Sequence, residues 1–470
     1  MMRIRATLVL AALWVGATAC DTPPTPLAPL PPTAPAPLSR MSGVNLFHLE
    51  PTPEFDAYLE NQELVANSVA LGWNTFRLPI EWDDFVHEDG SLDDSKIERS
   101  RLALELLISR LKQVSEALRS PIFLILDFHQ YKFGRVCGGV GIPNTALSTK
   151  GLNERDANCV FKAFHLFWAN QSNIQGKWIA WALAHLQGIA PLAQRESGWL
   201  RLGIEPINEP QFGKADGLFG SNPFSTVRNL KSWIAGQGPQ KQIDGYLIPF
   251  YRKFIAALES TPFGRQLVRQ SSFVAEPFVF DHIKIQLGVG PLQFELKLDG
   301  RYQGMLQLQR SSSTGQPIRW IAGPHHYLGA MDPGLLDALP LALRRQLSHY
   351  PNAFIDRDTV HERIEWVARR MHEAGMRTFF GEWGTQTTLL DSHGHPGGHA
   401  DWIRDSQHAL DQSSLGALWW QYRTDPSTDQ NGFYLLRSYR DDGTRVAPGE
   451  QLLKCGPSHF LAQLVFGRCR

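Results

Sequence analysis

Short apolar runs alternate with longer helix-like stretches along most of this chain of 470 residues. Eight of the short runs have the length and apolar composition of buried β-strands. They lie at residues 43–47, 74–82, 122–129, 202–208, 273–280, 320–327, 378–382 and 415–420. Between them, apolar residues recur every three to four positions, at 97–118, 178–194, 247–258 and 360–374. Alternating strands and helices indicate a parallel sheet, and eight such units predict an α/β fold of the (β/α)8 TIM-barrel type with loop insertions.

Residues 281–309 show additional β-like alternation, which predicts a hairpin inserted after the fifth strand. The predicted barrel domain, 41–470, is about twice the common domain length, but barrels of this type often reach that length as one domain. The region therefore needs no internal domain boundary.

The N-terminal residues have the pattern of an export signal. Two arginines in residues 1–5 precede an apolar stretch, 6–15, that is too short to span a bilayer, and small residues follow. We predict a signal peptide at 1–19. The run Ala17-Thr18-Ala19-Cys20 resembles the lipobox of bacterial lipoproteins, which predicts a lipid anchor at Cys20 and a membrane-bound protein facing the periplasm or the outside. Ordinary signal cleavage nearby is the alternative. Residues 20–40 are rich in proline and predict an extended spacer.

The remaining cysteines form an even set. Without Cys20 the chain has Cys137, Cys159, Cys455 and Cys469, which in an exported protein indicates two disulfides. Three pairings are possible. We favour Cys137 with Cys159 and Cys455 with Cys469, because each closes a short local loop; free buried cysteines are the alternative.

Composition and motifs exclude several classes of function. Lys plus Arg and Asp plus Glu both number 46, so no basic excess points to nucleic acid. Neither a Gly-x-Ser-x-Gly nor a phosphate-loop motif occurs. His393, His395 and His399 lie in a polar, glycine-rich stretch without the spacing of a zinc peptidase motif. We therefore predict no metal or cofactor, and a monomer.

Polar side chains fall at the ends of the predicted strands, where barrel enzymes place their chemistry. Those singled out are Arg77, Asp127, His129, Gln130, Asn208, Glu209, His325, Tyr327, Glu382 and Trp420. By strand alternation, His326 and Trp419 face the other side and belong to the core. Two glutamates at strand ends, Glu209 and Glu382, are the minimal machinery for cleaving a glycosidic bond. Glu205 and Glu276, each followed by proline, are either subsite residues or rivals for the acid.

Five short motifs occur in order along the predicted barrel: Phe76-Arg77-Leu78-Pro79, Asp127-Phe128-His129, Asn208-Glu209-Pro210, His325-His326-Tyr327 and Gly381-Glu382-Trp383-Gly384. With them the chain resembles glycoside hydrolase family 5, the cellulase family of retaining (β/α)8 glycosidases. His129-Gln130, the glycine-rich 138–143 and Phe167-Trp168-Ala169-Asn170 resemble its endoglycoceramidase-like branch, although Tyr131 replaces the aspartate usual in that branch.

The resemblance implies a role for each residue. Glu209 would be the acid/base and Glu382 the nucleophile, whose negative charge raises the pKa of Glu209. Arg77 and Tyr327 would keep Glu382 ionised, although Arg77 in a purely structural ion pair is the alternative. Asn208 would donate to the sugar 2-hydroxyl, His129 and His325 would position sugar and carboxylates, and Trp420 would stack on a pyranose ring.

The expected function is a retaining hydrolase of β-linked glucans or glycolipid-type β-glucosides, with an endo mode favoured. The alternative is a non-catalytic carbohydrate-binding lipoprotein built on a degenerate barrel. A metal-dependent barrel hydrolase that uses the histidines is a third hypothesis.

Overall fold

The β-strands follow the order that the sequence predicts. The computed structural model describes residues 40–46, 48–49, 63–147, 151–156, 158–213, 238–278, 284–289, 292–297, 301–310, 317–327, 357–384 and 398–420. Its strands are β1 (Met41–Asn45), β2 (Thr75–Glu81), β3 (Ile122–His129), β4 (Leu200–Glu205), β5 (Ser272–Ala275), β6 (Lys284–Val289), β7 (Leu292–Lys297), β8 (Trp320–Ala322), β9 (His325–Tyr327), β10 (Arg377–Thr378), β11 (Phe380–Gly384) and β12 (Gly416–Trp419). The predicted signal peptide, residues 20–39 of the predicted spacer, which include Cys20, and Cys455 and Cys469 lie outside the described residues.

Ten of these strands form one parallel sheet, in the order β10-β8-β5-β4-β3-β2-β1-β12-β11-β9. The predicted sixth strand consists of β8 and β9, and the predicted seventh consists of β10 and β11. The lower halves, β8 and β10, pair with each other at one end of the sheet order, and the upper halves, β9 and β11, pair at the other end. The sheet therefore closes on itself, and the predicted (β/α)8 barrel is confirmed.

The helices lie between the strands along the chain, as expected for a barrel. They are α1 (Glu63–Leu71), α2 (Asp94–Leu118), α3 (Cys159–Trp168), α4 (Ile174–Arg195), α5 (Gly238–Gln242), α6 (Ile248–Glu259), α7 (Pro262–Gln270), α8 (Gly304–Gln309), α9 (Arg357–Glu373) and α10 (Gly398–Ser413). Short 3-10 turns lie at Trp82–Phe85, Arg135–Cys137, Asn144–Ala146 and Gln171–Asn173, and a π-helical turn lies at Ile243–Leu247. No helix within the described ranges is long and apolar enough to cross a membrane.

Local signals account for the ends of the long helix α2. The Asp93 side chain accepts hydrogen bonds from the backbone N–H groups of Ser95 and Lys96, which satisfies two donors of the first turn. At the other end, Arg119 adopts the left-handed conformation that commonly terminates a helix, with φ of 51°.

The predicted insertion after the fifth strand is confirmed for its first part. β6 and β7 form an antiparallel hairpin in which Lys284 faces Lys297. The second part is wrong, because residues 304–309 form helix α8. There Met305 and Leu308 are both buried, three positions apart, which is helical and not strand spacing.

The inside of the barrel has an apolar lower layer. One buried cluster joins residues from several strands: Met41, Phe123, Ile125, Val274, Phe379, Leu415 and Leu418. Gly203 leaves room for it, since a Cβ at this position would lie 2.9 Å from Ile125 and 3.0 Å from Phe123. Two and four residues beyond Ile125 on the same face of β3 stand Asp127 and His129. The side chains inside the barrel therefore change from apolar to ionisable toward the carboxyl ends of the strands.

A larger apolar core fills the space between the sheet and the helices. Trp181 of α4 lies at its centre, with ring centroids 5.1 Å from Phe128 and 5.0 Å from Trp178. His185, one turn further along α4, is buried in the same cluster, and its Nδ1 lies 3.1 Å from the Ser100 hydroxyl. Burial lowers the pKa of His185 to about 3.

The predicted disulfide between Cys137 and Cys159 is confirmed. It joins the loop after β3 to the first residue of α3. The loop also contains an isolated β-bridge between Tyr131 and Val140, and a Cβ at Gly139 would lie 1.8 Å from the Tyr131 carbonyl oxygen. The bond therefore fixes a folded loop at the carboxyl-end rim of the barrel.

We expect the double substitution Cys137→Ala/Cys159→Ala to lower the free energy of unfolding by about 3 kcal/mol, because the unfolded chain loses a cross-link that closes a short loop. Urea denaturation with and without a reducing agent measures the change. The reductant should destabilise the wild type by the same amount and leave the double variant unaffected. Equal stability of wild type and variant without reductant would contradict the expectation.

Buried His185 should make stability pH-dependent in a way that a substitution removes. The unfolded chain binds a proton at this position below a pH of about 6.5, whereas the folded protein does so only near the folded pKa of about 3. Between these values the wild type should lose stability relative to His185→Gln by up to about 1.4 kcal/mol per pH unit as the pH falls. The matched control is His372→Gln, at an exposed position of α9. A pH-independent difference between wild type and His185→Gln would refute the assignment.

Candidate active site

A buried arginine gathers carboxylates from neighbouring strands into one layer at the carboxyl-end rim. Arg77, in β2, is 0% exposed. Its Nε and Nη2 donate to the two oxygens of Glu205 at 2.7 and 3.2 Å, and its Nη1 donates to Glu382 at 2.7 Å. Nη2 also lies 3.1 Å from Asp127. Three acidic side chains thus share one guanidinium.

Two amide side chains take the remaining donor positions of Arg77. Nη1 donates to the Asn45 side-chain oxygen at 2.9 Å, and Nη2 donates to that of Asn208 at 2.7 Å. With these bonds each of the five guanidinium N–H groups has an acceptor. Asn45 in turn donates to the backbone carbonyl oxygens of Gly381 and Trp419, at 2.9 and 3.3 Å. The first strand is thereby tied to the last two strands of the barrel.

The segment 206–211, which carries Asn208 and Glu209, is held by indole groups of the outer core. Trp178 Nε1 donates to the carbonyl of Pro206, and Trp168 Nε1 donates to that of Gln211, both at 2.8 Å. The strand was predicted to continue to Asn208, but β4 ends at Glu205. Pro206 follows immediately and lacks the N–H group that a continuing ladder needs.

Glu209 itself has an unusual backbone conformation, with φ of +40°. The Gln130 side chain donates to the carbonyl oxygens of both Asn208 and Glu209, at 2.7 and 3.0 Å. The N–H of Glu209 donates to Glu276 Oε2 at 2.6 Å. A left-handed conformation at a residue other than glycine persists where its surroundings hold it, and these bonds do so.

His325 lies between the two predicted catalytic carboxyl groups. Its Nδ1 is 2.9 Å from Glu209 Oε1 and 3.2 Å from Glu382 Oε2. A carboxylate oxygen of Glu209 lies within 4.8 Å of one of Glu382. Glu382 and His325 are also register partners in the pairing of β11 with β9. The barrel therefore brings together two side chains that are far apart in the sequence.

A second histidine forms the neighbouring wall. His129 Nδ1 lies 2.6 Å from Asp127 Oδ2, and the His129 ring is stacked on Trp420 with centroids 5.7 Å apart. Trp420 is half-buried, whereas Trp419 is buried against Trp383 with centroids 4.8 Å apart. The alternation predicted for the two tryptophans is confirmed, and Trp420 presents part of its ring at the rim.

Burial dominates the ionisation of this layer. It raises the pKa of Asp127 to about 7 against the opposing charge of Arg77, and it lowers the pKa of His129 to about 3 and that of His325 to about 4. Burial also raises the pKa of Glu382, although His325 and Arg77 lower it. Desolvation therefore opposes the ionised state of Glu382 that pairing with Arg77 alone would predict.

Other predicted positions divide between site and core. Glu205 and Glu276 are both buried, Glu205 as the bidentate partner of Arg77 and Glu276 behind Glu209. His326 faces away from the site, as predicted, with Nε2 3.1 Å from the Ser406 hydroxyl. Tyr327 ends β9, but its side chain lies outside the described residues.

Asn45 is a site residue that sequence reasoning missed. It lies opposite Arg77 in the pairing of β1 with β2, and it is 0% exposed. An amide at the end of an apolar strand was a visible signal, but only the register shows that it faces Arg77.

Among the residues that the structure describes, three groups of side chains have ligand atoms close enough to hold a cation: Glu209, His325 and Glu382; Glu205, Glu276 and His325; and His48, Glu81 and Asp84. Arg77 already places a fixed positive charge 2.7 Å from both Glu205 and Glu382. Each of the first two groups therefore contains one carboxylate whose charge Arg77 compensates.

Comparison with known proteins supports the fold. No family model matches the chain. The curated relative endoglycoceramidase I of Rhodococcus hoagii (strain 103S) is 27% identical over 146 residues, which are 30% of this chain and only 27% of that protein. Endo-glycoceramidase II from Rhodococcus sp. with a five-membered iminocyclitol has a TM-score of 0.51 and 17% identity over 87% of this chain and 77% of its own. The same enzyme as a lactosyl-enzyme intermediate has a TM-score of 0.50, with the same identity and coverage.

We expect Arg77→Lys to destabilise the protein by about 3–5 kcal/mol, because an ammonium group cannot replace the bidentate and bridging bonds and leaves buried carboxylates without a partner. The matched control is Arg101→Lys on α2, whose ion pairs with Glu98 and Glu105 are partly exposed to solvent. It should change stability little. Urea denaturation measures both. Similar small effects for the two variants would show that the Arg77 network does not stabilise the fold.

Proposed function

We propose that this chain is a retaining glycoside hydrolase of the family 5 type, with Glu382 as nucleophile and Glu209 as acid/base. The observation that carries the proposal is the approach of the two carboxyl groups: one oxygen of Glu209 lies within 4.8 Å of one oxygen of Glu382, and His325 Nδ1 lies 2.9 and 3.2 Å from the two side chains. Retaining glycosidases hold their carboxyl groups about 5–5.5 Å apart, whereas inverting enzymes separate them by about 6.5–9.5 Å to admit a water molecule. The pair also lies at the rim where barrel enzymes carry their chemistry.

The proposed reaction proceeds in two displacements. Glu382 attacks the anomeric carbon while Glu209 donates its proton to the departing glycosidic oxygen, so that the aglycone leaves as an alcohol. Glu209, now ionised, removes a proton from water, and the hydroxyl attacks the same carbon and releases Glu382. Both steps use the same pair of groups, and the fixed backbone of Glu209 keeps its carboxyl group close to the bond that breaks.

The contacts around the pair supply the supporting roles. Asn208 is oriented by Arg77 and by its donation to the Gln130 carbonyl at 2.8 Å, and its amide is proposed to donate to the sugar 2-hydroxyl. His129 stacks on the Trp420 ring, and the partly exposed Trp420 is proposed to pack against the apolar face of a pyranose ring. Arg77 is completely buried, so we assign it to holding Glu382 and not to direct contact with sugar.

The proposed substrates are β-linked glucans or glycolipid-type β-glucosides, cleaved in an endo mode. The motif resemblance supports this class, as do the relative named endoglycoceramidase I and the similar fold seen as a lactosyl-enzyme intermediate. We further propose an exported, monomeric protein anchored to a membrane through Cys20. The Cys137–Cys159 disulfide supports this location, because such bonds persist in oxidising compartments.

The test uses nitrophenyl β-glycosides, β-glucans and glucosylated lipids. We expect Glu382→Ala to abolish turnover and azide to restore it with an inverted glycosyl azide, because azide then attacks directly. Glu209→Ala should lower turnover by about 10²–10⁴-fold, and azide should give the retained product through the glycosyl-enzyme. Glu98→Gln, on the exposed side of α2, is the control.

Each contrary result has a definite meaning. Inverted stereochemistry of the wild-type product would exclude the double displacement. Loss of turnover with a chelator would favour the metal-dependent alternative. We expect a chelator to leave turnover unchanged. Sugar binding without hydrolysis of any substrate would favour the non-catalytic carbohydrate-binding protein.

A further inference from the structure

Glu276 is a buried carboxyl group that the proposed reaction leaves without a role. It directly follows β5 and is 2% exposed. Its Oε2 accepts the backbone N–H of Glu209 at 2.6 Å. Its Oε1 lies 3.2 Å from His325 Nε2, a close contact that is not aligned as a hydrogen bond in this structure. Tyr251 fixes its backbone, because the hydroxyl donates to the Glu276 carbonyl at 2.9 Å and the Glu276 N–H donates to the hydroxyl oxygen at 3.1 Å. This side chain thus contacts the acid/base and the histidine beside it.

Glu276 lies just beyond the point at which the strand pairing of the barrel changes. β5 pairs with β8, whereas β9, which carries His325, pairs with β11. The Gly323 N–H still donates to the Ala275 carbonyl at 3.0 Å. Beyond that bond, the Glu276 side chain contacts His325.

The surroundings of Glu276 disfavour a negative charge. Arg77 directs its five N–H groups to other acceptors, among them Glu205 and Glu382. Burial raises the pKa of Glu276 well above its ordinary value, and the charges of Glu205 and Glu209 raise it further. Although the charge of Arg77 lowers the pKa, the combined shift favours the neutral carboxyl group, which carries a hydrogen that it can donate.

The surroundings of His325 favour a hydrogen-bond donor opposite its Nε2. Its Nδ1 faces Glu209 and Glu382 at 2.9 and 3.2 Å. The charged form of either carboxyl group is purely an acceptor, so the ring hydrogen is most favourable on Nδ1. Burial lowers the pKa of His325 to about 4, and the neutral ring then carries a lone pair on Nε2, which faces Glu276.

We propose that Glu276 is a positioning residue that acts as a neutral acid. It donates a hydrogen bond from Oε1 to His325 Nε2 and accepts the Glu209 N–H on Oε2. The ring hydrogen of His325 is thereby kept on Nδ1, between the two catalytic carboxyl groups. The inference rests on the proposed function. No proton is transferred in this arrangement. The rival is an ionised Glu276 that accepts from Nε2–H, which would turn the bare Nδ1 lone pair toward the Glu382 carboxylate.

The discriminating substitutions are Glu276→Gln and Glu276→Leu. A glutamine can keep its oxygen on the Glu209 N–H and donate from its NH₂ group to His325, so it reproduces the neutral acid and not the anion. We expect Glu276→Gln to retain kcat within about threefold and Glu276→Leu to lose on the order of 10²-fold, since small misplacements of reacting groups have such effects. KM should change little, and Glu116→Gln, at an exposed position of α2, is the control.

The pH profile separates this role from simple packing. The ionisable groups that face Glu276 are Arg77, Glu205, Glu209, His325, Glu382 and Tyr251. Glu276→Gln should leave the profile of kcat unchanged, because the wild-type side chain carries no charge over the working range. If Glu276→Gln loses as much activity as Glu276→Leu while both variants unfold at the wild-type temperature, the side chain acts as an anion and the proposal is wrong.

A measurement without substrate keeps the inference testable apart from the proposed activity. In the full chain with ¹⁵N-labelled histidine, the His325 signals are assigned by their loss in His325→Gln. We expect Nδ1 at the shift of a protonated nitrogen and Nε2 at that of an unprotonated, hydrogen-bonded one near neutral pH. The opposite tautomer, or a doubly protonated ring, would overturn the proposal even in an active enzyme. The expected tautomer in a protein without glycosidase activity would support the contact and reject only the function.

Discussion

The guanidinium of Arg77 is the interaction on which the arrangement of this site depends. Its donors reach Asn45 on β1, Glu205 on β4, Glu382 on β11 and Asn208 beyond β4. Burying several carboxyl groups together is unfavourable without a compensating charge. One planar cation with five donors supplies that charge and also fixes the direction of each partner. The same contacts therefore stabilise the upper layer of the barrel and orient the proposed nucleophile.

Layering inside the barrel explains why this polar network is tolerated. An apolar layer that includes Phe123 and Ile125 lies below it, and the aromatic residues around Trp181 pack outside the sheet. Water is thereby excluded from below and from the side, which strengthens every electrostatic contact. Burial also shifts the pKa values of the carboxyl groups and histidines of the layer toward their neutral forms, whereas the surrounding carboxylates keep Arg77 charged. A site that combines neutral and charged carboxyl groups follows from this burial.

Much of the barrel, and the location of the two glutamates, followed from the sequence, because apolar runs and polar strand ends are local patterns. The division of the sixth and seventh strands did not, since it depends on which neighbour each half pairs with. Asn45 was missed for the same reason: its meaning lies in its register with Arg77. The sequence singled out Glu276 as either a subsite residue or a rival for the acid, and neither of these is the positioning role proposed above. Its contacts join it to residues 67 and 49 positions away, Glu209 and His325, and no local pattern encodes such distances.

The bonds of Asn45 to Gly381 and Trp419 span 336 and 374 positions of the chain. During synthesis the first strand must therefore wait until nearly the whole barrel sequence has left the ribosome. Until then Arg77 lacks Glu382, and its other acidic partners meet in an open sheet that water can enter. Contacts of such long range form slowly, and domains complete their folding as units. A nascent or truncated chain that ends before β11 can hold much of the sheet and still contain no assembled charge centre.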